Sequence, residues 1–106
     1  LALKEPAPIK GTLAQIKRWA KDRNVFVRIE LARRGLAPEI LKYDSSSTVR
    51  LLTLQNTGEF SEHYRERETD LHVIQEMIKQ DIDRDYWREL SPQLATFVEQ
   101  VEQSES

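Results

Sequence analysis

The C-terminal half of the chain has the hydrophobic pattern of amphipathic helices. Between residues 71 and 82, apolar side chains recur at spacings of three and four, as they do along one face of a helix: Leu71, Ile74, Met77, Ile78 and Ile82. Thr69 and Asp70 precede this run, and either side chain can cap a helix N-terminus. We therefore predict an amphipathic helix that begins near residue 70.

Two further helices are expected after it. Asp83 or Asp85 can cap a short helix that contains Trp87. Ser91 followed by Pro92 is typical of a helix start, because proline lacks the amide hydrogen that the first helical residue does not need. The last helix would place four apolar residues on one face: Leu94, Phe97, Val98 and Val101.

The N-terminal half is ambiguous when each segment is taken alone. Apolar and polar residues alternate over residues 25–31 and again over residues 49–53, which suggests two strands. An internal repeat favours helices instead. Asp22 and Asp44 are each followed, after four variable residues, by a Val-Arg pair, Val27-Arg28 and Val49-Arg50, at an offset of 22. Fixed periods of this length are typical of solenoids, so we interpret each copy as helix, Asp-containing turn and helix.

These residues resemble a known family. Trp19-Ala20 before Asp22, then Val27-Arg28, together with the shorter second copy around Asp44 and Val49-Arg50, are similar to the leucine-rich variant repeat and its relatives among the HEAT and armadillo α-solenoids. The resemblance covers residues 12–57. It implies a right-handed helical stack in which the Asp ends one helix and the Arg reaches a neighbouring turn. It also implies an interaction function, mostly with proteins and sometimes with nucleic acid.

The expected fold class is therefore all-α, a short HEAT-like or leucine-rich-variant α-solenoid with a C-terminal amphipathic helical cap. The two variant repeats occupy residues 12–57 and the cap occupies residues 60–103, within one helical domain of residues 1–106. Four residues are the expected structural positions of the repeat: Asp22, Arg28, Asp44 and Arg50. The second copy is about three residues shorter before its Asp, so its first helix should be a single turn at most.

Charge divides the chain into two parts. Residues 1–55 carry 11 basic and 5 acidic side chains, a net charge of +6, whereas residues 56–106 carry 5 basic and 13 acidic side chains, a net charge of -8.

The chain has no cysteine, which excludes disulfides, thiolate metal sites and cysteine nucleophiles. No signal peptide or spanning segment is recognisable, so we expect a cytoplasmic protein; the missing initiator methionine suggests a segment of a longer one.

Candidate chemistry is weak outside the basic residues. Asp81, Asp83 and Asp85 have the spacing that opens a calcium loop, but Tyr86 occupies the position that needs glycine. His72 and Glu76 are neighbours on a helix, which can poise a general base, yet a surface pair is the simpler interpretation. We therefore expect no catalytic residue, no metal site and no cofactor.

The basic residues are the best candidates for binding a partner. Setting aside Arg28 and Arg50 as repeat positions leaves six: Lys17, Arg18, Lys21, Arg23, Arg33 and Arg34. The first hypothesis is a noncatalytic protein–protein interaction module, which binds a protein partner or self-associates through its oppositely charged halves. The alternative is nonspecific nucleic-acid binding through the basic half, with Trp19 or Phe26 beside the cations.

Overall fold

The structure, a computed structural model, describes residues 12–58 and 62–105. These residues form helices and contain no strand, so the all-α prediction is confirmed and the strand interpretation of residues 25–31 and 49–53 is wrong. The chain divides into two compact units, of which the first ends at Ser61 and the second begins at Glu62. The predictions that they form one domain, and that the second unit caps the first, stay predictions. None of the helices within these described ranges is long and apolar enough to cross a membrane.

The first unit contains four described helices, and each of the three longer ones begins at a side-chain cap. They are α1 (Leu13–Trp19), α2 (Val25–Arg33), α3 (Pro38–Leu41) and α4 (Ser47–Thr57). Thr12 and Gln15 form a reciprocal capping box on α1, Asn24 accepts from the amide of Phe26, and Ser46 accepts from the amide of Val49. As expected, α3 is a single turn, which begins at Pro38.

The core of the first unit joins residues from all four helices. Leu31 of α2, Leu41 of α3 and Val49 of α4 are completely buried. Three alanines complete the buried cluster, while α1 contributes the partly buried Ile16 and Trp19. Helix α2 ends at Arg33, and Gly35 follows in a left-handed conformation with φ 69°, which only glycine adopts without strain.

The turns after α1 and after α3 have the same hydrogen bonds at equivalent positions. The Asp22 carboxylate accepts from the amide of Asn24 at 2.8 Å, and the Asp44 carboxylate accepts from the amide of Ser46 at 2.9 Å. Arg28 donates to the carbonyl of Asp22 at 2.6 Å, and Arg50 donates to the carbonyl of Asp44 at 2.7 Å. Each turn is thus closed by an aspartate in front of the helix and an arginine one turn into it.

One interaction connects the two turns. Arg28 donates from Nε and Nη2 to the two carboxylate oxygens of Asp44, at 2.7 and 3.3 Å. Both side chains are mostly buried, with exposed fractions of 13% for Arg28 and 6% for Asp44. Bidentate geometry with this degree of burial makes the pair stronger than a surface ion pair.

The described part of the second unit, residues 62–105, also contains four helices: α5 (Glu62–Arg65), α6 (Leu71–Gln80), α7 (Asp85–Leu90) and α8 (Pro92–Glu105). The predicted starts of α6 and α8 are confirmed, because Asp70 accepts from the amide of Val73 and Ser91 accepts from the amide of Leu94. The completely buried Val73, Met77 and Ile78 lie on one face of α6.

Two details of the second unit differ from the expectation. Helix α6 ends at Gln80, and Ile82 lies beyond it, fully exposed rather than on the apolar face. The chain leaves the helix there because the backbone of Asp81 is extended. Neither Asp83 nor Asp85 caps α7: Arg84 is the residue before the helix, and the Asp85 carboxylate bonds to Arg88.

A buried polar network explains the conformation around Asp81. Its carboxylate accepts from the guanidinium of Arg65 and from the indole N–H of Trp87, both at 2.8 Å, and from the amide of Asp83 at 2.9 Å. The Arg65 guanidinium also lies 3.8 Å from the centre of the Tyr86 ring. Asp81 is therefore a structural residue that joins α5 to α7.

The turn geometry predicts that replacing Asp44 lowers the free energy of unfolding more than replacing Asp22 does. Asp44→Ala leaves the buried Arg28 guanidinium without its carboxylate and should lower the free energy of unfolding by about 2–3 kcal/mol. Asp22→Ala removes a single side-chain acceptor and should cost about 1 kcal/mol. Denaturant unfolding followed by circular dichroism measures both. Equal costs, or a loss below about 0.5 kcal/mol for Asp44→Ala, would contradict the role given to the Arg28–Asp44 pair.

Candidate functional site

The structure separates the six predicted partner-binding residues into two groups. Lys17 and Arg18 lie on α1, and Lys21 and Arg23 lie in the turn between α1 and α2. Arg33 and Arg34 lie at the other end of α2, which at nine residues is about 13 Å long. The six residues therefore do not form one cluster. We call the first group, Lys17, Arg18, Lys21 and Arg23, the basic patch.

The side chains of the basic patch are exposed. None of these four side chains forms an ion pair with another residue in the described ranges, 12–58 and 62–105. Lys21 follows Arg18 by three residues and Lys17 by four, which are the spacings of neighbouring side chains on a helix surface, and it lies just beyond the end of α1. This part of the surface has a concentrated positive charge that the fold does not use.

The second group is partly used by the fold. Arg34 donates to the Glu30 carboxylate at 2.8 Å across one helical turn, and its side chain is largely buried. Arg33 lies 3.6 Å from the same carboxylate, although its side chain is 63% exposed. Glu30 thus offsets part of the charge at this end of α2, which makes Arg33 and Arg34 weaker candidates than the basic patch.

An exposed aromatic residue adjoins the basic patch. Phe26 lies in the first turn of α2, three residues after Arg23, and is 69% exposed. Trp19, the other aromatic residue expected beside the cations, packs against the core of the first unit instead. This end of the first unit therefore combines an exposed aromatic ring with four exposed cations nearby in the sequence.

The second unit has a surface of opposite charge. Between residues 62 and 105 there are 12 acidic and 5 basic side chains, a net charge of -7, compared with +5 for residues 12–58. A hydrogen bond from Arg84 lowers the pKa of Glu105. Arg88 bonds to both Asp85 and Glu102.

The second unit also contains an apolar groove that the sequence did not suggest. It has a volume of about 340 Å³ and lies between α6 and α8, and Leu71, Leu94 and Phe97 form its apolar lining. Glutamines border it at residues 75, 93 and 100. The spacing of Leu94 and Phe97 predicts a core face, and the packing of α8 against α6 leaves part of this face open.

The residues considered for catalysis or metal binding have other partners or none. Asp81 and Asp83 bond to Arg65, and no group of three potential metal-ligating side chains occurs in the described part of the chain. Glu76 accepts from Gln80, while the nearest carboxylate to the exposed His72 is that of Asp70, at 3.9 Å. The pair of His72 with Glu76 is therefore not formed.

No protein-family model, curated protein or solved structure matches this chain.

The basic patch should be dispensable for folding. Lys17→Ala and Arg23→Ala should each change the free energy of unfolding by less than about 0.5 kcal/mol, because neither side chain has an ion-pair partner among the described residues. Thermal or denaturant unfolding of the two variants measures this. A loss above about 1 kcal/mol for either variant would show that the side chain stabilises the fold, and it would then no longer be a free binding residue.

Proposed function

We propose that this chain is a noncatalytic protein–protein interaction module, built on a short α-solenoid, that binds an acidic partner through the basic patch. The repeat hydrogen bonds support the solenoid part of the proposal. Asp22 with Arg28 and Asp44 with Arg50 make the same contacts at an offset of 22 residues, as successive units of a repeat array do. The resemblance to leucine-rich variant and HEAT-like repeats is part of this proposal.

The binding part of the proposal rests on a difference between two sets of basic residues. Arg28 and Arg50 are held in the turns by short hydrogen bonds. The four cations of the basic patch have no such bonds and lie on α1 and in the turn that leads to the exposed Phe26. A protein surface with carboxylates and apolar side chains would satisfy both the charge and the aromatic ring.

Nonspecific nucleic-acid binding is the second candidate, and the same exposed aromatic residue favours it. Aromatic side chains beside cations bind single-stranded nucleic acids by stacking on bases while lysine and arginine contact phosphates. The short extent of the basic patch opposes this candidate. Arg33 and Arg34, which would extend it along a phosphate backbone, lie at the other end of α2 with the Glu30 carboxylate beside them. We therefore favour the protein partner.

Titration with two probes separates the candidates. The first probe is a labelled peptide rich in glutamate and leucine, and the second is a labelled single-stranded DNA; fluorescence anisotropy gives the affinity for each at several salt concentrations. We expect the peptide to bind more tightly than the DNA. Lys17→Ala combined with Arg23→Ala should weaken peptide binding about tenfold or more, and Phe26→Ser should weaken it as well.

Lys79→Ala is the matched control, because Lys79 is an exposed lysine of the acidic unit, and it should leave the affinity unchanged. Peptide binding that is insensitive to the patch substitutions would overturn the proposal. Tighter binding of the DNA, with a slope in log affinity against log salt of about -0.7 for each phosphate contact, would establish the nucleic-acid alternative.

A further inference from the structure

The loop between α6 and α7 presents an isoleucine to solvent among carboxylates. We call residues 81–85, which are this loop and the first residue of α7, the acidic loop. Ile82 has an exposed fraction of 101%, the highest of the large apolar residues in the described chain. The exposed side chains of Asp83 and Asp85 lie one and three residues after it. A large aliphatic side chain in this position contributes nothing to the core.

The loop is held in place on both sides of Ile82. Before it, the Asp81 carboxylate is bonded to Arg65 and Trp87. After it, the Arg84 guanidinium donates to the carbonyls of Ile78 and Lys79, each at 3.0 Å, which ties the loop back to the end of α6. Ile82 is thus exposed on a fixed backbone rather than on a free tail. A fixed segment loses little conformational entropy when it binds, as a docking residue requires.

The basic patch has the complementary chemistry. Asp83 and Asp85 are exposed and share their present partners, Arg65 and Arg88, with Asp81 and Glu102, so negative charge remains for the unpaired cations of the patch. The exposed Phe26 offers an apolar contact to Ile82. The charges of the two units, +5 over residues 12–58 and -7 over residues 62–105, favour the same pairing between molecules. Every chain carries both surfaces, so a second copy is a partner with the charge and the apolar group that the basic patch needs.

We propose that the acidic loop of one copy docks on the basic patch of a second copy, with Ile82 placed against Phe26. This inference rests on the proposed function and names its partner. The interface is heterologous, because the loop and the patch are different surfaces, so each copy would keep one patch or one loop open for further association. The protein should therefore associate head to tail, in a manner that depends on concentration and salt.

Complementation between two variants tests this arrangement by sedimentation velocity of the full chain at low salt. The patch variant carries Lys17→Glu and Arg23→Glu, and the loop variant carries Ile82→Lys. The wild-type chain should sediment as a concentration-dependent series of oligomers that dissociate at high salt. Each variant alone should associate about tenfold or more weakly. An equimolar mixture should form a one-to-one dimer and nothing larger, because it combines one intact loop with one intact patch.

Leu90→Lys is the matched control for the loop variant. Leu90 is also an exposed aliphatic residue of the second unit, and the substitution adds the same charge outside the loop, so wild-type association should persist. Far-UV circular dichroism verifies that the variants stay folded. If the patch variant is misfolded, Lys17→Gln with Arg23→Gln replaces it.

The contrary outcomes are distinct. A wild-type chain that stays monomeric at low salt, a loop variant that associates like the wild type, or a mixture of variants that does not form the dimer would overturn the second-copy proposal. Binding of the glutamate- and leucine-rich peptide is measured on the same samples. A monomer that still binds this peptide through the basic patch would leave the proposed function standing, whereas a monomer that does not bind it would overturn both.

Discussion

The guanidinium of Arg28 makes the contact on which the arrangement of the first unit depends. It donates to the backbone of Asp22 in its own turn and to the carboxylate of Asp44 in the next, so one side chain fixes the distance between two helix starts. The same Asp44 carboxylate accepts from the amide of Ser46, at the start of α4. Helices α2 and α4 thereby begin at positions that bring Leu31 and Val49 into one core. A buried ion pair of this kind is stabilising only when its remaining polar atoms are also bonded, and here the turns supply those bonds.

This use of Arg28 also explains which cations remain for binding. A mostly buried arginine needs acceptors on several sides, and the aspartates of both turns provide them. Few carboxylates are then left in the first unit, since residues 12–58 contain only four acidic side chains against nine basic ones. Glu30 is bonded to Arg34, and the lysines and arginines around the α1–α2 turn have no carboxylate within ion-pair distance among the described residues. The basic patch is the positive charge that remains after the turns have been satisfied, and the proposed function assigns it to binding an acidic partner.

The sequence predicts the parts of the fold that depend on interactions between residues close together in the chain. Asp70 and Ser91-Pro92 marked helix starts because an N-terminal cap acts within three residues. The alternation over residues 25–31 resembled a strand because α2 has apolar residues around much of its circumference: Val27 and Leu31 are buried, while Val25 and Ile29 pack at the edge of the core. The internal repeat resolved that ambiguity. Ile82 differs from its prediction for another reason. Its spacing continues the apolar pattern of α6, but the helix ends at Gln80, and the next residue, Asp81, bonds to Arg65 and Trp87 instead.

The candidate site was predictable in composition but not in arrangement. The numbers of charged residues identify the basic half, and the four-residue spacing of Glu30 and Arg34 is a local signal that Arg34 is paired. The exposure of Phe26 and Ile82 depends on how helices pack and therefore could not be read from spacing alone. The most direct test of the account is a double-mutant cycle on Arg28→Met and Asp44→Ala, measured by denaturant unfolding. Because the two side chains bond directly, the cycle should give a coupling free energy of about 1–3 kcal/mol. Additive effects, with a coupling below about 0.5 kcal/mol, would contradict the claim that this pair organises the first unit.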